Sequence, residues 1–116
     1  MSHQAPKILP RAGIEDELKV AFGADFLSSK YAADELSIHV ARDSINRVIR
    51  TLNEQFEYQQ LMEIAGVDYP ERAERFDVVY HMLSLTKNHR IRIRVTTDEE
   101  TPVPSVTDIF PVAGWL

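Results

Sequence analysis

Polar and apolar positions alternate most regularly between Arg75 and Thr97, RFDVVYHMLSLTKNHRIRIRVTT. Two runs rich in β-branched and apolar residues flank the polar pair Lys87-Asn88, which suits a tight two-residue turn, so the stretch predicts a β-hairpin. With Thr86 opposite His89, Ser84 faces Ile91, Met82 faces Ile93, Tyr80 faces Val95 and Val78 faces Thr97. That side is almost wholly apolar and reads as core. On the other side Leu85 meets Arg90, Leu83 meets Arg92, His81 meets Arg94 and Val79 meets Thr96. The first strand is therefore apolar on both faces, which predicts a central position with something lying over each side. A short chain offers little material to cover both.

The rest of the pattern places the other elements. Ile14, Leu18, Ala21 and Phe22 fall on one helical face, with Glu15, Asp16 and Glu17 at the positive end and Gly23 as the stop. Phe26 to Tyr31 reads as a first strand and Ala32 to Glu35 as a turn, after which Leu36, Ile38 and Val40 alternate with Ser37 and His39 as a second strand. Ile45, Val48, Ile49, Leu52 and Phe56 make the clearest helical stripe, with Asp43 or Ser44 as N-cap and Asn46, Arg47, Arg50, Asn53 and Glu54 opposite. Gln60 to Val67 predicts a third strand, Asp68 to Glu71 a turn, Asp98 to Pro104 a loop, and Pro104 to Pro111 a short helix. The order α-β-β-α-β-β-β defines an α+β domain of two layers. It has a mostly antiparallel sheet of about five strands and two main helices on one face. Residues 1–10, with Pro6 and Pro10, read as a flexible lead-in to a single domain over 11–116.

Composition changes this picture in two ways. Thirteen basic against eighteen acidic residues give a formal charge of -5, which argues against a general binder of nucleic acid or anionic membrane. Cysteine is absent, so these residues supply no disulfide, thiolate nucleophile, zinc ribbon or iron–sulfur cluster. No apolar run approaches the roughly 20 residues of a membrane span, and Met1 to Pro10 has no signal-peptide core. The chain reads as soluble or peripheral.

Candidate chemistry is sparse. His3, His39, His81 and His89 show no metal-ligand spacing, and His81 is the one set on the arginine-bearing face. No nucleophile elbow or phosphate cradle is present, and Asp98-Glu99-Glu100 reads as a solvated turn. Arg90, Arg92 and Arg94 stand at period two and form a guanidinium row beside Leu83, Leu85 and Val79. A patch at once cationic and apolar is what partner surfaces look like. Asp68 to Arg75 adds Tyr69, Arg72 and Arg75 among acids, either a docking loop or a turn laced with its own ion pairs. A small nucleic-acid-binding module using Arg90, Arg92 and Arg94 is the alternative. A small hydrolase lacks any readable nucleophile and base.

Over about half the chain the sequence resembles a known family. Asp68-Tyr69-Pro70, then Arg75-Phe76, Val78-Val79-Tyr80-His81, Leu83-Ser84-Leu85, Arg90-Ile91-Arg92, Pro104, Ser105-Val106 and Trp115 match the pattern of the C-subunit family of proton-pumping NADH-quinone oxidoreductase, respiratory complex I. The E-R-E segment that follows the tryptophan in that pattern is absent, so the chain reads as truncated at its carboxyl end. The resemblance implies an accessory protein of the peripheral arm that is not catalytic by itself and carries no cofactor or metal. It would pack against the quinone-site subunit and near the cluster-bearing subunit, touching no nucleic acid and meeting the membrane only through the complex. It further implies a peripheral place on the cytoplasmic face of a bacterial inner membrane, or the matrix or stroma side in an organelle. Related membrane-bound hydrogenases and plastid complexes share the domain. The residues expected at the partner interface are Tyr69, Arg72, Arg75, Val79 and His81, with Leu83, Arg90, Arg92, Arg94 and Trp115.

Overall fold

The computed structural model describes residues 13–32 and 35–115, the side chain of Trp115 excepted. The lead-in and the middle of the Ala32 to Glu35 turn lie outside the described residues. Two helices, α1 (Ile14–Phe22) and α2 (Ile45–Gln55), accompany strands β1 (Phe26–Ala32), β2 (Glu35–Val40), β3 (Gln60–Asp68), β4 (Phe76–Ser84) and β5 (His89–Thr97). This is the α-β-β-α-β-β-β order that the periodicities predict. The strands form one sheet in the spatial order β1-β2-β5-β4-β3. Neighbours run antiparallel except β2 and β5, which pair in parallel, Ser37 opposite Arg92 and His39 opposite Arg94. Two antiparallel ribbons thus meet at one parallel seam, and α2 carries the chain from one ribbon to the other.

Helices α1 and α2 pack on the same side. Leu18 and Phe22 of α1 and Ile45, Val48, Ile49 and Leu52 of α2 share a buried cluster with Leu36, Ile38 and Val40 of β2, Tyr80 and Met82 of β4, and Ile91, Ile93 and Val95 of β5. Within each strand those residues all have one parity, so the opposite parity faces away from the helices. Gly23 ends α1 at φ 59, a conformation that glycine adopts without a Cβ penalty. The polar side of α2 is also put to use. Arg47 donates to the Phe22 carbonyl at 3.1 Å and to Asp25 at 2.5 Å, placing a cation at the negative end of α1. Asn46 donates to the Ser105 carbonyl and to Asp108, both at 2.8 Å, and fastens the carboxyl-terminal segment to the same helix.

Three expectations need correction. The hairpin register is displaced by two residues: Ser84 pairs with His89, Met82 with Ile91, Tyr80 with Ile93 and Val78 with Val95, so Leu85 to Asn88 form a four-residue connection. Asn88 takes the left-handed φ of 51, and the Lys87 N–H donates to Ser84 Oγ at 3.1 Å, which closes the longer loop. Because side chains alternate with period two, a slip of two leaves each one on its predicted face and changes only its partner. Second, Ser44 stands at the N-cap position of α2 but makes no side-chain cap bond, a 3-10 turn over Arg42–Ser44 leading in instead. Third, Pro104 to Pro111 forms no α-helix: the Ile109 and Phe110 N–H groups both donate to the Val106 carbonyl, and a 3-10 turn follows at Pro111–Trp115.

His89 is a core residue. It is 1% exposed, with Nδ1 2.6 Å from the hydroxyl of the buried Tyr58 and Nε2 3.4 Å from that of Tyr31.

Candidate functional site

The sheet face turned away from the helices brings the predicted arginine row together with residues from all five strands. Across the middle of the sheet Glu63, His81, Arg92, Ser37 and Lys30 stand in register, and beside them Ala65, Val79, Arg94, His39 and Ser28. Leu83 faces Arg90 at the turn end, and Asp77 faces Thr96 at the other. Val79 is only 3% exposed although it stands outside the helix-side cluster. It lines the same hollow as Arg92 and Arg94 of β5 and Tyr69 and Arg72 of the loop after β3.

Part of this face sinks into a hollow of about 490 Å³ lined by Lys30, Ser37, Val67, Tyr69, Arg72, Asp77, Val79, Arg92 and Arg94. Asp77 is 5% exposed and is the one carboxylate among these lining residues. It accepts from Arg72 of the loop and lies 3.5 Å from Arg94 Nη1. Arg72 in turn stacks over the Tyr69 ring, 4.2 Å from its centroid. Arg75 instead turns back to form a forked pair with Asp68, 2.9 and 2.8 Å, and reaches Glu99 at 3.5 Å. That pair holds the Asp68 carboxyl below its ordinary range. The 69–75 loop is therefore fixed by its own ion pairs while presenting Tyr69 and Arg72 to the hollow.

Of the ten residues expected at an interface, five line this hollow: Tyr69, Arg72, Val79, Arg92 and Arg94. His81 and Arg90 line a smaller concavity with Glu35, Met62, Glu63 and Met82. Leu83 is half-buried beside it, Arg75 belongs to the loop lock, and the side chain of Trp115 lies outside the described residues. Sequence reasoning missed Lys30, His39 and Asp77. The first two reach the arginines only through the parallel seam, which leaves no local signal. Asp77 was visible, since alternation puts it on the same face as Val79 and a lone carboxylate inside an apolar strand calls for a cation.

His39 sits next to Arg94, and its pKa is lowered by burial first and then by that guanidinium, against opposing pulls from Asp77 and Glu74. The unfolded chain therefore takes up this proton at a higher pH than the folded one. Stability from His39 is complete above the ordinary histidine range near pH 6.5 and falls as the pH drops toward the depressed value. His39→Gln should flatten that fall, read as urea midpoints between about pH 7.5 and 5.5. An unchanged slope counts against the assignment.

A two-layer α+β domain whose helices cover one face of a mixed sheet and leave the other face cationic and partly apolar is the class this architecture defines. Residues 38–116 match the family described as respiratory-chain NADH dehydrogenase, 30 Kd subunit, and the chain belongs to that family. It is 55% identical over 98% of its length to the NADH-quinone oxidoreductase C-subunit of Erythrobacter litoralis, covering 46% of that protein. To the corresponding protein of Novosphingobium aromaticivorans it is 50% identical over 97% of its length, covering 37%. The chain thus spans about half or less of the curated relatives it matches. Among solved structures, a chain from the membrane-bound sulfane sulfur reductase, an archaeal respiratory membrane complex, has a TM-score of 0.73 at 23% identity over 86% of this chain and 59% of that one. That likeness bears on the fold alone.

Proposed function

We propose that this chain acts as the sheet-bearing part of a C-subunit of NADH-quinone oxidoreductase, supporting electron transfer from NADH to quinone by docking and doing no electron chemistry itself. Its partners on this reading are the quinone-site subunit and the cluster-bearing subunit of the same complex. The observation that carries the reading is the sheet face with no helix of the described residues over it, on which Arg90 and Arg92 stand with the half-buried Leu83 and the exposed Val67. A surface of cations set among aliphatics gains more from a protein partner than from water. The names of the relatives support the assignment to that complex. No helix among the described residues is long and apolar enough to cross a membrane. On this reading the chain is held at the cytoplasmic face of the bacterial inner membrane through its partners.

Charge reversal at Arg90 and Arg92 together tests this. Neither takes part in an ion pair among the described residues, so the fold should keep its thermal midpoint. Recovery of the flavin- and cluster-bearing subunits with the tagged protein should drop about tenfold or more. Undiminished recovery from solubilised membranes defeats the docking reading. Arg94 is unsuitable for this purpose because it holds Asp77.

A further inference from the structure

The open face is not evenly mixed. Lys30, Arg72, Arg92 and Arg94 ring the hollow against the single carboxylate of Asp77, a local positive excess in a chain of formal charge -5. Asp77 is already engaged by Arg72 and Arg94. Lys30 and Arg92 have no ion-pair partner among the described residues, and Arg92 Nε is shielded from water with no acceptor in reach. The planar fork of arginine matches a carboxylate better than any other common anion except phosphate, and neither of these two cations has a counter-charge among the described residues. The exposed apolar part of the lining is Val67 and the Tyr69 ring, with Val79 buried beside them.

We propose that this hollow receives a single aspartate or glutamate side chain of a partner polypeptide, its carboxylate lying between Arg92 and Lys30 and an adjoining apolar side chain resting on Val67 and the Tyr69 ring. The inference rests on the docking reading and adds the chemistry of what docks. Charge and shape favour a protein carboxylate over a polyanion. Glu63 stands in register with His81, and Glu35 and Glu63 line the neighbouring concavity, so acids flank the hollow and repel a long phosphate chain. Exposed apolar surface on Val67 and Tyr69 suits a peptide better than a lipid headgroup or a nucleotide backbone.

Lys30 makes the proposal directly testable, because a water-soluble carbodiimide joins an amine to a carboxylate only when the two are in contact. The complex is solubilised from membranes of cells producing the full-length protein, treated with the carbodiimide and mapped by mass spectrometry. The expected result is an amide between Lys30 and an aspartate or glutamate of another polypeptide of the complex. Lys30→Arg keeps the charge but does not couple and should abolish that link. Arg92→Gln should weaken the link several-fold. A complex that retains the protein but leaves Lys30 unlinked, as a phosphate in the hollow would, or linked only within its own chain, overturns the inference while docking survives. Wild-type protein that does not travel with the other subunits overturns the docking and this inference with it.

Discussion

Replacing Ile93 by alanine should lower the unfolding free energy by about 3 kcal/mol and the thermal midpoint by about 10 °C or more. Ile93 has no exposed surface. It sits in β5 between Ile38 of β2 and Tyr80 of β4, with the Val48, Ile49 and Leu52 stripe of α2 in the same cluster. Neighbours held by ladders on both sides cannot close over the lost methylene and methyl groups, so the cavity term adds to the transfer term. Ile64 provides the comparison. It belongs to the edge strand β3, is half-buried, and packs only at the margin of the cluster, so Ile64→Ala should cost about 1 kcal/mol. Urea unfolding of both variants decides the matter, and equal losses would contradict the central position of β5.

Arg94→Glu should cost about 2–4 kcal/mol at neutral pH, against about 1 kcal/mol for Arg94→Gln. The wild-type guanidinium lies 3.5 Å from a carboxylate that is almost fully buried, so reversal removes attraction and introduces repulsion at one point. Arg72 remains to hold Asp77, and Arg94 itself is partly solvated, which keeps the loss below that of a sealed ion pair. The like-charge contact raises the folded-state pKa of the introduced carboxylate above its unfolded value. The protonated form is therefore favoured on folding, and the deficit relative to wild type should shrink as the pH falls from about 7 toward 5. A deficit independent of pH would assign the loss to packing instead.

Much of this architecture is written in alternation. The contrast between Ile91, Ile93 and Val95 and Arg90, Arg92 and Arg94 states which side of β5 is core, and the Ile45 to Leu52 stripe states which side of α2 meets it. Parity has no memory of turn length, however, so a four-residue connection and a two-residue one give the same faces. The actual partners Ser84 and His89 could not be told from the expected ones on that basis. The seam between β2 and β5 is invisible for a different reason: parallel pairing is decided by tertiary closure around α2, and nothing within Leu36 to Val40 names its neighbour. Two of the nine residues lining the hollow, Lys30 and Ser37, reach it only across that seam. The arginines were legible, whereas the lysine, the serine and the histidine that complete their surroundings were not.

The seam also bears on how the domain assembles. The β1-β2 ribbon and the β3-β4-β5 meander each form from near neighbours, but Leu36, Ile38 and Val40 wait for a strand translated well after them. Closing that distance is the entropically demanding step, so substitutions in β2 should slow refolding more than equivalent ones in β4. Until β5 leaves the ribosome, the apolar side of β2 has no lateral cover, and it is there that a nascent chain is most exposed to aggregation or in need of a chaperone.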